Sequence, residues 1–122
     1  MNRKELENRL IDFSNNVMLI CREAKFDSLN FHLAKQVVRS SSSCALNYAE
    51  AQSAESRADF AHKISIVLKE LRETYVTLQL IESSVKSSKG EKMSALLKEN
   101  DELIAIFQSS VRTVLGKGSK LN

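Results

Sequence analysis

The chain has 122 residues, 43% of them apolar and 27% charged, and a net charge of +3. That is one domain with enough apolar side chain for a core, and its charge is small for a compact basic nucleic-acid-binding domain. There is no proline, no tryptophan and only three glycines, two of them within the last seven residues; a β-rich domain needs turn chemistry far more often than this, so an all-helical fold is expected. The start, "MNRKELENRL", carries charges throughout and no apolar signal core, which points to the cytoplasm. No apolar run approaches the ~20 residues of a membrane span.

The first segment is expected over about 3–24. Leu6, Leu10, Phe13, Val17 and Ile20 recur at steps of four and three, one face of a helix. "KFDSLN" breaks the pattern, and Ser28 or Asn30 is placed to cap the next helix.

The second segment, about 30–52, contains four consecutive serines in "RSSSSCALNYAEAQ". Helical serines cost at most roughly 0.5 kcal/mol each relative to alanine, whereas one buried leucine or valine contributes about 1.5 to 3 kcal/mol. The stripe of Leu33, Val37, Cys44, Tyr48 and Ala51 therefore holds the run helical. The serines and the neighbouring alanines make this helix thin, so that other backbones approach it closely. Its opposite stripe holds Lys35, Arg39, Ser43, Leu46 and Glu50.

The third segment, about 57–86, opens with "SRAD", where Ser56 caps and Asp59 stands in a capping-box position. Phe60, Ile64, Val67, Leu71, Tyr75, Leu78 and Val85 form its long stripe, and Gly90 is the expected break. A second face gathers Asp59, Lys63, Ile66, Glu70, Glu73 and Thr77, with Asp59 and Lys63 spaced to pair at i,i+4. The fourth segment, about 91–115, presents Met93, Leu96, Leu97, Leu103, Ile104, Phe107, Val111 and Val114, and residues 116–122 should fray. Short connections favour antiparallel neighbours, giving an up-down-up-down four-helix bundle.

The outward faces of the second and third helices each carry an aliphatic among opposite charges. Together they form the expected self-association surface, with Arg39 meeting Glu70 or Glu73, or Glu50 meeting a base, across a subunit boundary.

Residues 35–74, "KQVVRSSSSCALNYAEAQSAESRADFAHKISIVLKELRET", resemble the signature of the bacterial four-helix-bundle proteins named for 23S rRNA intervening sequences. The elements shared are Lys35 to Arg39, the serine-rich helix, Asn47, Glu50-Ala51, Ala54 to Ser56, Asp59-Phe60, Lys63 and Lys69-Glu70 to Glu73. The resemblance implies a bundle assembling into a homopentameric ring, with Asn47 joining the interface residues. It extends to accessory proteins of diversity-generating retroelements, which implies a reverse transcriptase as a protein partner, and RNA or DNA. The chain departs from the pattern at Ser43-Cys44, where the family usually has an isoleucine-glycine-like pair, at Ser53, where glycine is frequent, and near Val76, where the family usually has tryptophan.

Chemistry is sparse. A di-metal site in a bundle needs two Glu-x-x-His pairs and two further carboxylates, whereas this chain has Asp59 with His62 and one other histidine, His32. No glycine-rich phosphate loop exists, and no serine or cysteine has a His/Asp set around it; neither an enzyme nor a cofactor is expected. Cys21 and Cys44 lack metal-type spacing and are expected as buried small hydrophobes. Bases cluster as Lys86, Lys89 and Lys92 at the helix 3–4 junction and as Arg112, Lys117 and Lys120 at the end. Repeated around a ring, these would form a basic rim with salt-dependent, sequence-indifferent affinity for nucleic acid. The expected function is a non-enzymatic oligomeric scaffold for RNA or DNA; the alternative is a protein-binding adaptor with no nucleic-acid contact.

Overall fold

A computed structural model describes residues 1–87 and 90–121, with side chains as far as residue 116. It contains four helices: α1 (Arg3–Glu23), α2 (His32–Ala51), α3 (Arg57–Ser84) and α4 (Glu91–Leu121). Each helix packs against its neighbour in sequence and α1 packs against α4, so that among the described residues the close backbone approaches all run around the perimeter of the bundle. The result is the expected antiparallel four-helix bundle. The α2–α3 seam is the most extensive and the α1–α4 seam the sparsest. Among the described residues no helix is long and apolar enough to cross a membrane.

The helix starts follow from capping chemistry. The Asn2 side chain accepts from the Glu5 backbone N–H at 2.8 Å, and its amide donates back to Glu5 Oε1 at 2.9 Å. Ser56 Oγ accepts from the Asp59 N–H at 3.0 Å, as its spacing foretells. Neither Ser28 nor Asn30 caps α2, whose N-cap position is Phe31 with no side-chain cap. Asn30 is engaged elsewhere. Its Oδ1 accepts from Asp27 N–H at 2.8 Å and its amide donates to the Ser84 carbonyl at 3.1 Å, tying the α1–α2 connection to the end of α3.

At the same end of the bundle, Lys25 N–H donates to the Lys86 carbonyl at 2.9 Å in an isolated antiparallel bridge. The helical run of α3 stops at Ser84, two residues before the expected end. The hydroxyls of Ser83 and Ser84 both bond back to the Leu80 carbonyl, and Val85 turns to extended backbone with its side chain in the core. Gly90, at φ +135°, makes the break before α4 in a region other residues avoid. The backbone of α4 continues in helix to Leu121, six residues past the end expected at 115.

The core follows the four stripes. Leu10, Phe13, Val17, Val37, Cys44, Leu71, Leu78, Leu103 and Phe107 are among its most enclosed side chains. Tyr48 of α2 and Phe107 of α4 meet across the centre, edge to face at 5.5 Å between ring centroids. The thinness of α2 is realised: Ser40 and Ser41 are fully buried, and Cys44 Sγ comes within 3.8 Å of the Val67 backbone carbonyl of α3.

Candidate self-association face and basic ends

Residues that read as outward on α2 and α3 are brought together along the seam between these two helices. Arg39 donates to Glu73 at 2.9 Å and to Glu70 at 3.3 Å, and Gln36 adds a hydrogen bond to Glu73 at 3.0 Å. Lys63 reaches Glu50 at 3.2 Å instead of pairing with Asp59 on its own helix. The charges expected to await a second copy are thus paired inside one chain. The physical reason is the width of the buried arc on α3: this helix packs against both α2 and α4, so the arc carrying Glu70, Thr74 and Thr77 faces α2 and is buried.

Burial sets the electrostatics of this cluster. Loss of solvent pushes the Glu70 carboxyl above its ordinary value, with the neighbouring Glu73 adding to the rise and Arg39 opposing it. Glu73 is also partly desolvated, but hydrogen bonds from Arg39 and Glu70 outweigh this and leave its pKa lowered. Arg39, hydrogen-bonded to Glu73, is held in its charged form.

The other interface candidates remain at the surface to different degrees. Asn47 spends its amide on the Ser43 carbonyl and hydroxyl, both at 2.9 Å. Ile66 and Asp59 are half-buried. Leu46 is 63% exposed on the outside of α2, and Val76 and Leu80 are exposed on the outside of α3. Leu46 was legible as a stray aliphatic on a polar stripe; Leu80 falls outside the face drawn from the charges.

Among the described residues the basic candidates separate to opposite ends of the bundle. Lys86 is exposed beside Lys25, a neighbour that no local sequence signal reveals because the two are joined only by the bridge between connections. Lys92 is exposed and paired with Glu23 of α1 at 2.8 Å. Arg112 lies 20 residues further along α4, about 30 Å at helical rise. Lys89 and the side chains of Lys117 and Lys120 lie outside the described residues. Among the described residues, no three His, Cys, Asp or Glu side chains converge as a metal-binding group. The cysteines are both free, Cys44 buried and Cys21 half-buried.

A protein of unknown function from the S23 ribosomal protein family of Bacteroides thetaiotaomicron has a similar crystal structure, at 26% identity and a TM-score of 0.78, covering 88% of this chain and 98% of that one. Among curated proteins none matches. The family model described as 23S rRNA-intervening sequence protein matches residues 5–109. With the signature helices, the bundle topology and this match in agreement, the chain belongs to the 23S rRNA-intervening sequence protein family.

Proposed function

We propose that the protein is a non-catalytic, self-assembling four-helix scaffold, a ring of five copies, whose repeated basic ends contact the phosphates of RNA or DNA. The observation that carries the self-association is Leu46. A leucine 63% exposed in the middle of α2, beside Ser42, Ser43 and Ala49, is an apolar knob on a slim helix, and covering it gains hydrophobic free energy. The family's name associates it with intervening sequences of 23S rRNA, which makes RNA the first nucleic acid to try. Among the described residues no hydroxyl or thiol has the base and orienting group that nucleophilic catalysis requires.

A second reading, an adaptor that binds protein and not nucleic acid, is favoured by one specific contact. Lys92 is already matched by Glu23, which weakens the basic patch at that end. Sedimentation of the wild type and of Leu46→Glu tests assembly: the first should run as an oligomer and the second as a monomer. Titration of labelled RNA at two salt concentrations tests the basic ends. Affinity that falls steeply with salt supports phosphate contacts; no binding leaves the adaptor.

A further inference from the structure

The sparsest seam of the bundle leaves a groove. Between α1 and α4 lies an open cleft of about 440 Å³ whose floor and walls include Phe13, Leu19, Ile20, Ala95 and Leu96. Leu19 is 48% exposed there, off the α1 core stripe. The ends of the cleft are marked by ion pairs between the same two helices, Lys92 with Glu23 and Arg9 with Glu99 and Glu102. With Asp12 on its lining, the rim holds four acids (Asp12, Glu23, Glu99, Glu102) against two bases (Arg9, Lys92), an acidic excess on a chain of net charge +3. Both bases are already matched, and Asp12 has no ion pair among the described residues.

The outside of α2 has the opposite character. Lys35, Arg39, Ser42, Leu46 and Ala49 fall within about 80° of helical arc, all exposed or half-buried. This strip offers one large apolar side chain among small ones, with bases toward its N-terminal end and the exposed Glu50, matched by Lys63, at its C-terminal edge. Lys35, like Asp12, has no ion pair among the described residues. An apolar-floored groove with an acidic rim and a slim helix bearing an apolar knob and bases are complementary in shape and sign.

We infer that the α1–α4 groove is the acceptor for the α2 outer face of a second copy, with Leu46 entering the groove and Lys35 approaching the acidic rim, so that copies join head to tail. This rests on the self-association reading and goes further, because it names the second half of the contact. Donor and acceptor are different surfaces of one chain, so the contact is heterologous. Such contacts either close into rings or run on as filaments, and a ring is the closed form. The ion pairs of Arg39 with Glu70 and Glu73 need not break, since Arg39 lies at the edge of the donor arc.

The test uses two variants that leave the core untouched, because both positions are exposed. Leu46→Glu spoils the donor and keeps the groove; Ala95→Trp fills the groove and keeps the donor. Each alone should sediment as a monomer where the wild type is assembled, with helical circular dichroism and thermal midpoint unchanged. Mixed one to one, they retain a single good pair of faces and should form a dimer that goes no further. The mixture is read well above micromolar concentration, because an open pair lacks the gain of ring closure. Assembly of Ala95→Trp like the wild type, or a mixture that stays monomeric, overturns the groove assignment while self-association stands. A monomeric wild type overturns the self-association reading itself and this inference with it.

Discussion

The hydroxyls of Ser40 and Thr74 meet at 2.7 Å in the closed interior between α2 and α3. Thr74 also donates to the Glu70 carbonyl at 2.8 Å; the other acceptor in reach of the Ser40 hydroxyl is the Val37 carbonyl at a longer 3.4 Å, so the arrangement with the shorter bonds has Ser40 donating to Thr74 Oγ1. Both residues are fully buried, so this contact is where the serine run turns into close helix packing. Ser40→Ala should destabilise by about 0.5 to 1 kcal/mol, the net worth of the hydrogen bond less alanine's better helix propensity. Ser40→Leu should cost more, about 1 to 3 kcal/mol or beyond, because the seam has no room for the added carbons. Urea unfolding of the two variants checks the order; a tolerated leucine would mean that the seam is loose.

The Arg39 cluster predicts a pH dependence with two signs. Glu70 has a raised folded-state pKa, so the folded chain holds its proton more tightly. Stability contributed by that proton is present below the ordinary glutamate value of 4.5 and is lost as pH rises above it through the raised value. Glu73 has a lowered value, so its contribution is present above 4.5 and is lost as pH falls below it. The two carboxyls are neighbours and titrate as a pair. Urea midpoints measured across the acid range should therefore lose their decline above pH 4.5 in Glu70→Gln and their decline below it in Glu73→Gln. Identical pH profiles for both variants and the wild type would contradict the assignment.

Asn100 is fully enclosed in α4; its amide donates to the Leu71 carbonyl at 3.0 Å, and its Oδ1 has no partner among the described residues. A buried acceptor left unpaired costs about 1 to 3 kcal/mol. Replacing it with leucine, of similar size, should be neutral or stabilising by up to about 2 kcal/mol, whereas Asn100→Asp should destabilise by several kcal/mol unless the acid stays protonated. Chemical denaturation at neutral pH separates these outcomes.

Positions of the four helices were legible because the 3.6-residue period of the apolar stripes survives the serine run, and because Ser56 and Gly90 carry local signals that act through one or two bonds. The rotation of one helix against the next carries no such signal. Arg39 and its acids could be seen as matching charges, but nothing in their spacing distinguishes a partner on the next helix from one on the next copy. The buried arc of α3 is wider than its apolar spacing indicates, since Thr74 and Thr77 look polar and are buried with hydroxyls that bond back to their own helix. Asn100 did carry a signal: it lies four residues after Leu96 and three before Leu103, on the stripe itself. The groove gave only a hint, in Leu19 standing off the α1 stripe. Its depth comes from how far α1 and α4 stand apart, which depends on all four helices together.

The two thiols should report on how often the α2–α3 seam opens. Cys44 is wholly enclosed, its thiol directed at the Ser40 carbonyl at 3.3 Å, and burial, helped by the charge of Glu70, holds it far from ionising. Cys21 is half-buried, and burial pushes its pKa up to about 11. Only the thiolate attacks a disulfide reagent, so at pH 8 Cys21 should react about two orders of magnitude more slowly than a free cysteine. Cys44 should wait for an opening of the seam and become reactive with Cys21 only in denaturant. Ellman titration of Cys21→Ser isolates Cys44. If that variant reacts within seconds in native buffer, the helix at the centre of both the core and the proposed assembly separates from α3 too readily to present a fixed face to another copy.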